Sequence, residues 1–169
     1  MAVFIDGRNV HYGLAKLGWP TQYDVRAFAE SISSRFDLVS VHYYNATPSP
    51  IYTPEPAYGR QLRYYDQIRS QPGLHVKLGY LNMKGAKPVE KLVDVMLALD
   101  LALGAARDTY DVAALVSADG DFAAAVDEAK LAGKEVINFV FAVKRSFHLA
   151  AVCDEVRTLK LRNFTHVHC

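Results

Sequence analysis

"DVAALVSADGDFAAAVDEAKLAG", residues 111–133, changes period in the middle. Residues 111–118 form an apolar run with no polar alternation, which predicts a strand buried on both faces. Residues 121–133 are alanine-rich and end at Gly133, which predicts a helix with a glycine stop. Only Asp119 and Gly120 separate the two, with Asp121 opening the helix. A continuously apolar strand that runs through a tight turn into a helix is the repeating unit of a parallel α/β sheet, because parallel neighbours require a crossover.

The rest of the chain repeats this unit. Residues 2–6, "AVFID", are a short apolar strand ending in Asp6, followed by a helix over 9–18 that Gly18 and Pro20 stop. A second helix covers 24–36, with Asp24 as N-cap. Residues 38–46 read as a strand, and 47–56, which hold four of the seven prolines, as a loop. An amphipathic helix over 57–73 leads to a strand over 74–82. A basic Gly/Pro-punctuated loop spans 83–91, then a long helix 92–107. After the 111–133 unit come a core strand at 136–141 and a helix over 146–160, with apolar residues at 149, 152, 156 and 159. The expected fold is one domain over 1–169: an α/β three-layer sandwich around a mostly parallel sheet of about five strands.

Composition sets limits on function. The 169 residues are 51% hydrophobic and 22% charged, a globular balance, with a net charge of +1. Bulk charge therefore predicts no polyanion partner, and nucleic-acid affinity would have to come from a local patch. The two cysteines form no CxxC pair, which fits a reducing cytoplasm. "MAVFIDG" meets an aspartate too early for a signal peptide, and Asp94 and Asp100 interrupt the most apolar stretch, so no membrane span is expected. The chain has no GxGxxG, no GxxxxGK[ST] and no G-x-S-x-G.

The acids carry the chemistry. Ligands of open parallel sheets bind outside the carboxyl ends of strands, where Asp6, Asp119 and Asp121 fall. Asp94, near the start of the long helix, is expected on an apolar inward stripe with Leu97, Ala98 and Leu101. Clustered carboxylates repel unless protons or a cation hold them together, and an all-oxygen set suits Mg²⁺ or Mn²⁺. Each acid also has an ordinary role: Asp121 as helix cap, Asp119 and Asp6 as turn formers, Asp94 as a helix-start charge.

Three blocks in this order, "FIDGRN" (4–9), "EKLVDVMLALDLA" (90–102) and "LVSADGDF" (115–122), resemble the NYN domain family of PIN-like proteins. The similarity runs over nearly the whole chain. It implies a PIN-like, Rossmannoid nuclease fold and an RNA-directed, metal-dependent ribonuclease, with Asp6, Asp94, Asp119 and Asp121 as metal-binding catalytic acids. It also implies that Asn9 lies beside the metal, that Lys91 precedes the helix aspartate and that Ser117 precedes the acidic pair. Ala118 stands where the family usually has glycine, and Ala123-Ala124 where it often has proline-leucine.

Further basic residues could hold an RNA backbone: Lys84, Lys87 and Lys91 before the long helix, Lys144 and Arg145 after the last core strand. Tyr43 and Tyr44 could stack on bases, though core positions suit them better. Arg60, Arg63 and Arg69 read as a solvated helix face. The terminal "HVHC" (166–169) offers three metal donors without a fourth. Two alternatives remain beside the ribonuclease. One is a catalytically weak metal- or RNA-binding regulatory module of the same fold. The other is a phosphatase with a strand-end aspartate as nucleophile, disfavoured because Arg8 stands where that chemistry wants a second acid. A homo-oligomer through the Tyr/Pro-rich stretch 43–58 is a further possibility.

Overall fold

A computed structural model describes residues 1–84 and 87–165, with Lys87 described in its backbone only. The terminal donors His166, His168 and Cys169, for which the sequence offers no fourth ligand, lie outside the described residues. Among the described residues, seven strands form one sheet in the order β4-β3-β2-β1-β5-β6-β7. These are β1 (Ala2–Asp6), β2 (Ser40–Ala46), β3 (Leu74–Lys84), β4 (Lys87–Lys91), β5 (Val112–Val116), β6 (Glu135–Val140) and β7 (Glu155–Thr158). All pairings are parallel except β3 with β4.

The six α-helices of the described residues are α1 (Gly7–Lys16), α2 (Val25–Ile32), α3 (Ala57–Arg69), α4 (Val93–Ala106), α5 (Ala123–Leu131) and α6 (Phe147–Val152). They cover both faces of the sheet. Successive strand residues point to opposite sides, so Val3, Ile5, Val41 and Tyr43 join one core with Val10, Leu14, Phe28 and Tyr65 of α1, α2 and α3. Ala2, Phe4, Tyr44 and Leu115 join the other with Leu97, Leu101, Val126 and Leu149 of α4, α5 and α6. β1 is buried at all five positions because it has a strand on each side and a helix layer on each face.

Two elements differ from the expectation, and they account for the two extra strands. Of the expected basic loop 83–91, residues 83–84 end β3 and residues 87–91 form β4, paired antiparallel with it: Tyr80 opposes Lys91 and Met83 opposes Pro88. Pro88 is tolerated because β4 is an edge strand. The helix expected over 146–160 stops at Val152. There Asp154 accepts the Val136 N–H through its carboxylate (2.8 Å) and donates its own N–H to the Val136 carbonyl (3.0 Å). These bonds seat residues 155–158 beside β6 as a strand. Helix α1 starts two residues early, since Asp6 is itself the N-cap.

The topology has one switch point. From β1 the chain goes to β2 and β3 on one side, then returns to β5 and β6 on the other. The crevice outside the carboxyl ends of β1 and β5 is where such sheets bind ligands. No helix of the described residues is long and apolar enough to cross a membrane.

Candidate active site

Asp6 ends β1 at this switch point and is 6% exposed. One carboxylate oxygen accepts the Asn9 N–H at 3.0 Å, capping α1, and the other accepts the Ser117 hydroxyl at 2.8 Å. Asn9 thus meets Asp6 through its backbone. Ser117 Oγ in turn accepts the Asp119 N–H at 3.1 Å, and Asp119 Oδ1 accepts the Asp121 N–H at 3.1 Å. A continuous chain of hydrogen bonds therefore links Asp121, Asp119, Ser117 and Asp6. Asp119, and not Asp121, is the cap here, at the start of a 3-10 turn over Gly120–Phe122. Gly120 is needed for a close approach: a Cβ there would lie 2.9 Å from Ser146 Oγ, at the N-cap of α6.

Buried Asn138, 1% exposed, donates to the carbonyls of Leu115 (3.0 Å) and Ser117 (2.8 Å). It ties β6 to the end of β5 and fixes the strand end from which the acidic turn departs. Nothing in its sequence surroundings, "VINFVF", marks it for that task.

Asp94 differs from the expectation in one respect. The buried line of α4 runs through Val93, Leu97, Leu101 and Ala105, and Asp94 sits one residue off it, exposed by area. A step of one residue turns a helix by about 100°, which carries the carboxylate from the core toward the crevice. It still feels the charges of Asp119 and Asp121. Partial burial, followed by the charges of Asp119 and Asp121, raises its pKa above the ordinary carboxylate value. Burial raises Asp6 as well, against the opposing hydrogen bonds from Asn9 and Ser117, with the charges of Asp94 and Asp119 adding to the rise. Leu92, immediately before α4, takes the left-handed conformation at φ 71°, unusual for a bulky residue and seen where a site holds its backbone under strain.

Glu90, on β4, is a fifth carboxylate that no sequence pattern singled out. Its pKa is raised by burial and by the charges of Asp6 and Asp94, against Arg8, whose guanidinium lies 3.6 Å away. Recognising β4 as a strand would have placed it. Among the described residues, no group of three or more His, Cys, Asp or Glu forms a ready-made ligand set for one ion. The chemistry of the donors still suits a hard cation: all are oxygens, and two hold protons more tightly than isolated carboxyls do.

The expected basic residues divide. Lys84 and Lys91 are exposed on the β3–β4 hairpin, and the side chain of Lys87 lies outside the described residues. Lys144 stands 5.8 Å over the Tyr12 ring, and Arg145 donates to Thr158 Oγ1 at 2.8 Å. Those contacts tie both to α1 and β7, not to the acids. Tyr43 and Tyr44 are core residues, 4% and 0% exposed, so neither ring is free to stack on a base. The stretch 43–58 therefore begins inside the sheet, and its exposed large apolar side chain is Ile51. Arg60, Arg63 and Arg69 are exposed on α3, as expected.

A structure of a protein of unknown function, VPA0982 from Vibrio parahaemolyticus RIMD 2210633, superposes with a TM-score of 0.73 at 23% identity, covering 96% of this chain and 93% of that one. That likeness bears on the fold. No curated protein sequence matches the chain. The model of the NYN domain matches residues 1–160, nearly the whole length. The chain belongs to the NYN domain family of the PIN-like superfamily.

Proposed function

We propose that this protein hydrolyses phosphodiester bonds in RNA, with Asp6, Asp94, Asp119 and Asp121 as a divalent-cation site of catalytic acids. The observation that carries this reading is the joining of the acids at the switch point of a nuclease-type fold. Asp6, Asp119 and Asp121 are linked through Ser117, Asp6 senses the charge of Asp94, and Asp94 senses those of Asp119 and Asp121. A bound Mg²⁺ or Mn²⁺ supplies Lewis acidity toward phosphate and lowers the pKa of an attacking water. The chain's own residues do the positioning. Ser117 and the Asn9 N–H hold the Asp6 carboxylate in one orientation. The Asp119 cap holds the Gly120 turn and so sets Asp121 at the rim. Arg8, 63% exposed and only loosely paired with Glu90, is free to reach an anionic strand. Lys84, Lys87, Lys91, Lys144 and Arg145 contribute longer-range attraction for the backbone.

A second reading, a metal- or RNA-binding module with little turnover, is favoured by the net charge of +1 and by the lack of a preformed ligand set among the described residues. Labelled single-stranded RNA incubated with Mn²⁺, then with EDTA, separates the two. The ribonuclease reading expects cleavage that EDTA abolishes, that Asp119→Asn lowers by at least about 100-fold, and that Arg63→Ala leaves unchanged. RNA binding without cleavage would establish the module instead.

A further inference from the structure

Beside the acids, between β2, α1 and α3, opens a cleft of about 330 Å³, within the range of small-molecule sites. Gly7 and Glu90 belong to its wall, so it shares an edge with Asp6. Gly7 is needed there, because a Cβ would lie 2.6 Å from the Tyr43 hydroxyl and 2.7 Å from Asn45 Nδ2.

Beside the acceptor oxygens of Gln22, Gln61 and Glu90, the wall of the cleft presents donors that the fold leaves unused. The Tyr23 hydroxyl is buried and has no hydrogen-bond partner, a condition that costs about 1–3 kcal/mol. The Tyr43 hydroxyl accepts from Asn45 Nδ2 at 3.2 Å, which leaves its own proton to donate. Asn45 Oδ1 is already used by the Ala46 N–H at 2.9 Å. Burial raises both phenols well above their ordinary pKa, so they stay protonated. Arg8 and Arg60 line the same cleft, and Arg60 makes no ion pair among the described residues.

Such a wall calls for an acceptor-rich ligand. A phosphate dianion fits poorly, because Glu90 lines the cleft and both phenols sense the charge of Asp6. A neutral, flat heterocycle with keto oxygens is not repelled, and a guanidinium can stack on it. Uracil offers two carbonyls, and guanine O6 and N7. Adenine and cytosine would turn an amino group toward donors.

We propose that this cleft is a base-binding subsite, selective for keto bases (uracil or guanine), that seats the nucleotide next to the phosphodiester presented to the acids. Its placement in an RNA strand rests on the ribonuclease reading, but binding can be measured without cleavage. The full chain is titrated in EDTA with the 5′-monophosphates of uridine, guanosine, adenosine and cytidine, by calorimetry. UMP and GMP are expected to bind at least about 10-fold more tightly than AMP and CMP. Tyr23→Phe and Tyr43→Phe should shrink that ratio below about 3-fold, Arg60→Ala should weaken all four, and Tyr80→Phe, exposed on β3, should change nothing. Circular-dichroism melts verify that the variants fold. Equal affinity for all four nucleotides, no binding, or complete displacement of UMP by inorganic phosphate would overturn the subsite and leave the ribonuclease reading standing. Keto-selective binding by a chain that cleaves no RNA would do the reverse.

Discussion

Ser117→Ala tests the hydrogen-bond chain at its centre. Ser117 is 2% exposed and serves two partners, donating to Asp6 at 2.8 Å and accepting from the Asp119 N–H at 3.1 Å. A hydrogen bond to a charged group contributes about 1.5–3 kcal/mol and a neutral one about 1 kcal/mol. The substitution should therefore destabilise the fold by about 3 kcal/mol near neutral pH. The loss should depend on pH in a defined direction. Burial raises Asp6 in the folded state, so its contribution to stability is full below the ordinary value of 3.8 and falls as pH rises through the higher folded value. The Ser117 bond opposes that rise. Without it the folded pKa climbs further and the fall deepens, so the variant loses more at about pH 8 than at about pH 4. Urea unfolding at both pH values measures the difference. In an Asp6→Asn background, which keeps an acceptor for the Asn9 N–H but no charge, Ser117→Ala should cost only about 1 kcal/mol, a coupling of about 2 kcal/mol. A loss under about 1 kcal/mol, or an equal loss at both pH values, would refute the view that Ser117 supports an ionised Asp6.

Three further outcomes follow from the same geometry. Tyr44→Phe removes a 2.6 Å bond to Asp100, which keeps its 2.7 Å partner Lys77; thermal unfolding should show a loss of about 1.5 kcal/mol, with RNA cleavage unchanged. Leu92→Gly relieves the left-handed strain before α4 at some cost in unfolded-state entropy, so a net gain of about 0.5 kcal/mol is expected in urea unfolding, and a loss would mean that the Leu92 side chain is itself needed. Mn²⁺ should raise the melting temperature more at about pH 7.5 than at about pH 5, because Asp6 and Asp94 hold protons above the ordinary carboxylate range and protons compete with the ion; a rise independent of pH would place the ion elsewhere.

The strand-to-helix change at 111–133 and the apolar run 2–6 made the parallel α/β architecture legible, since burial on both faces imposes an apolar run on a strand whatever its neighbours are. The positions of Asp6, Asp119 and Asp121 at strand ends followed from the same reading. The edge strands were hidden. Residues 87–91 carry a proline and three charges, and residues 155–158 carry a helix-compatible apolar spacing. Edge strands face solvent, so burial writes little pattern into them, and their pairing is decided by the neighbouring strand and not by their own period.

By itself, then, the sequence determined the layer architecture and the acids at strand ends, because both are written in local periods that burial enforces residue by residue. Tertiary structure alone decided that Asp94 leaves the buried line of α4 while feeling the charges of Asp119 and Asp121, that Glu90 feels those of Asp6 and Asp94 from β4, and that Tyr23, Tyr43 and Arg60 wall one cleft. Charge and hydrogen bonding act over distance in space, which sheet order and helix rotation set and which spacing along the chain does not encode.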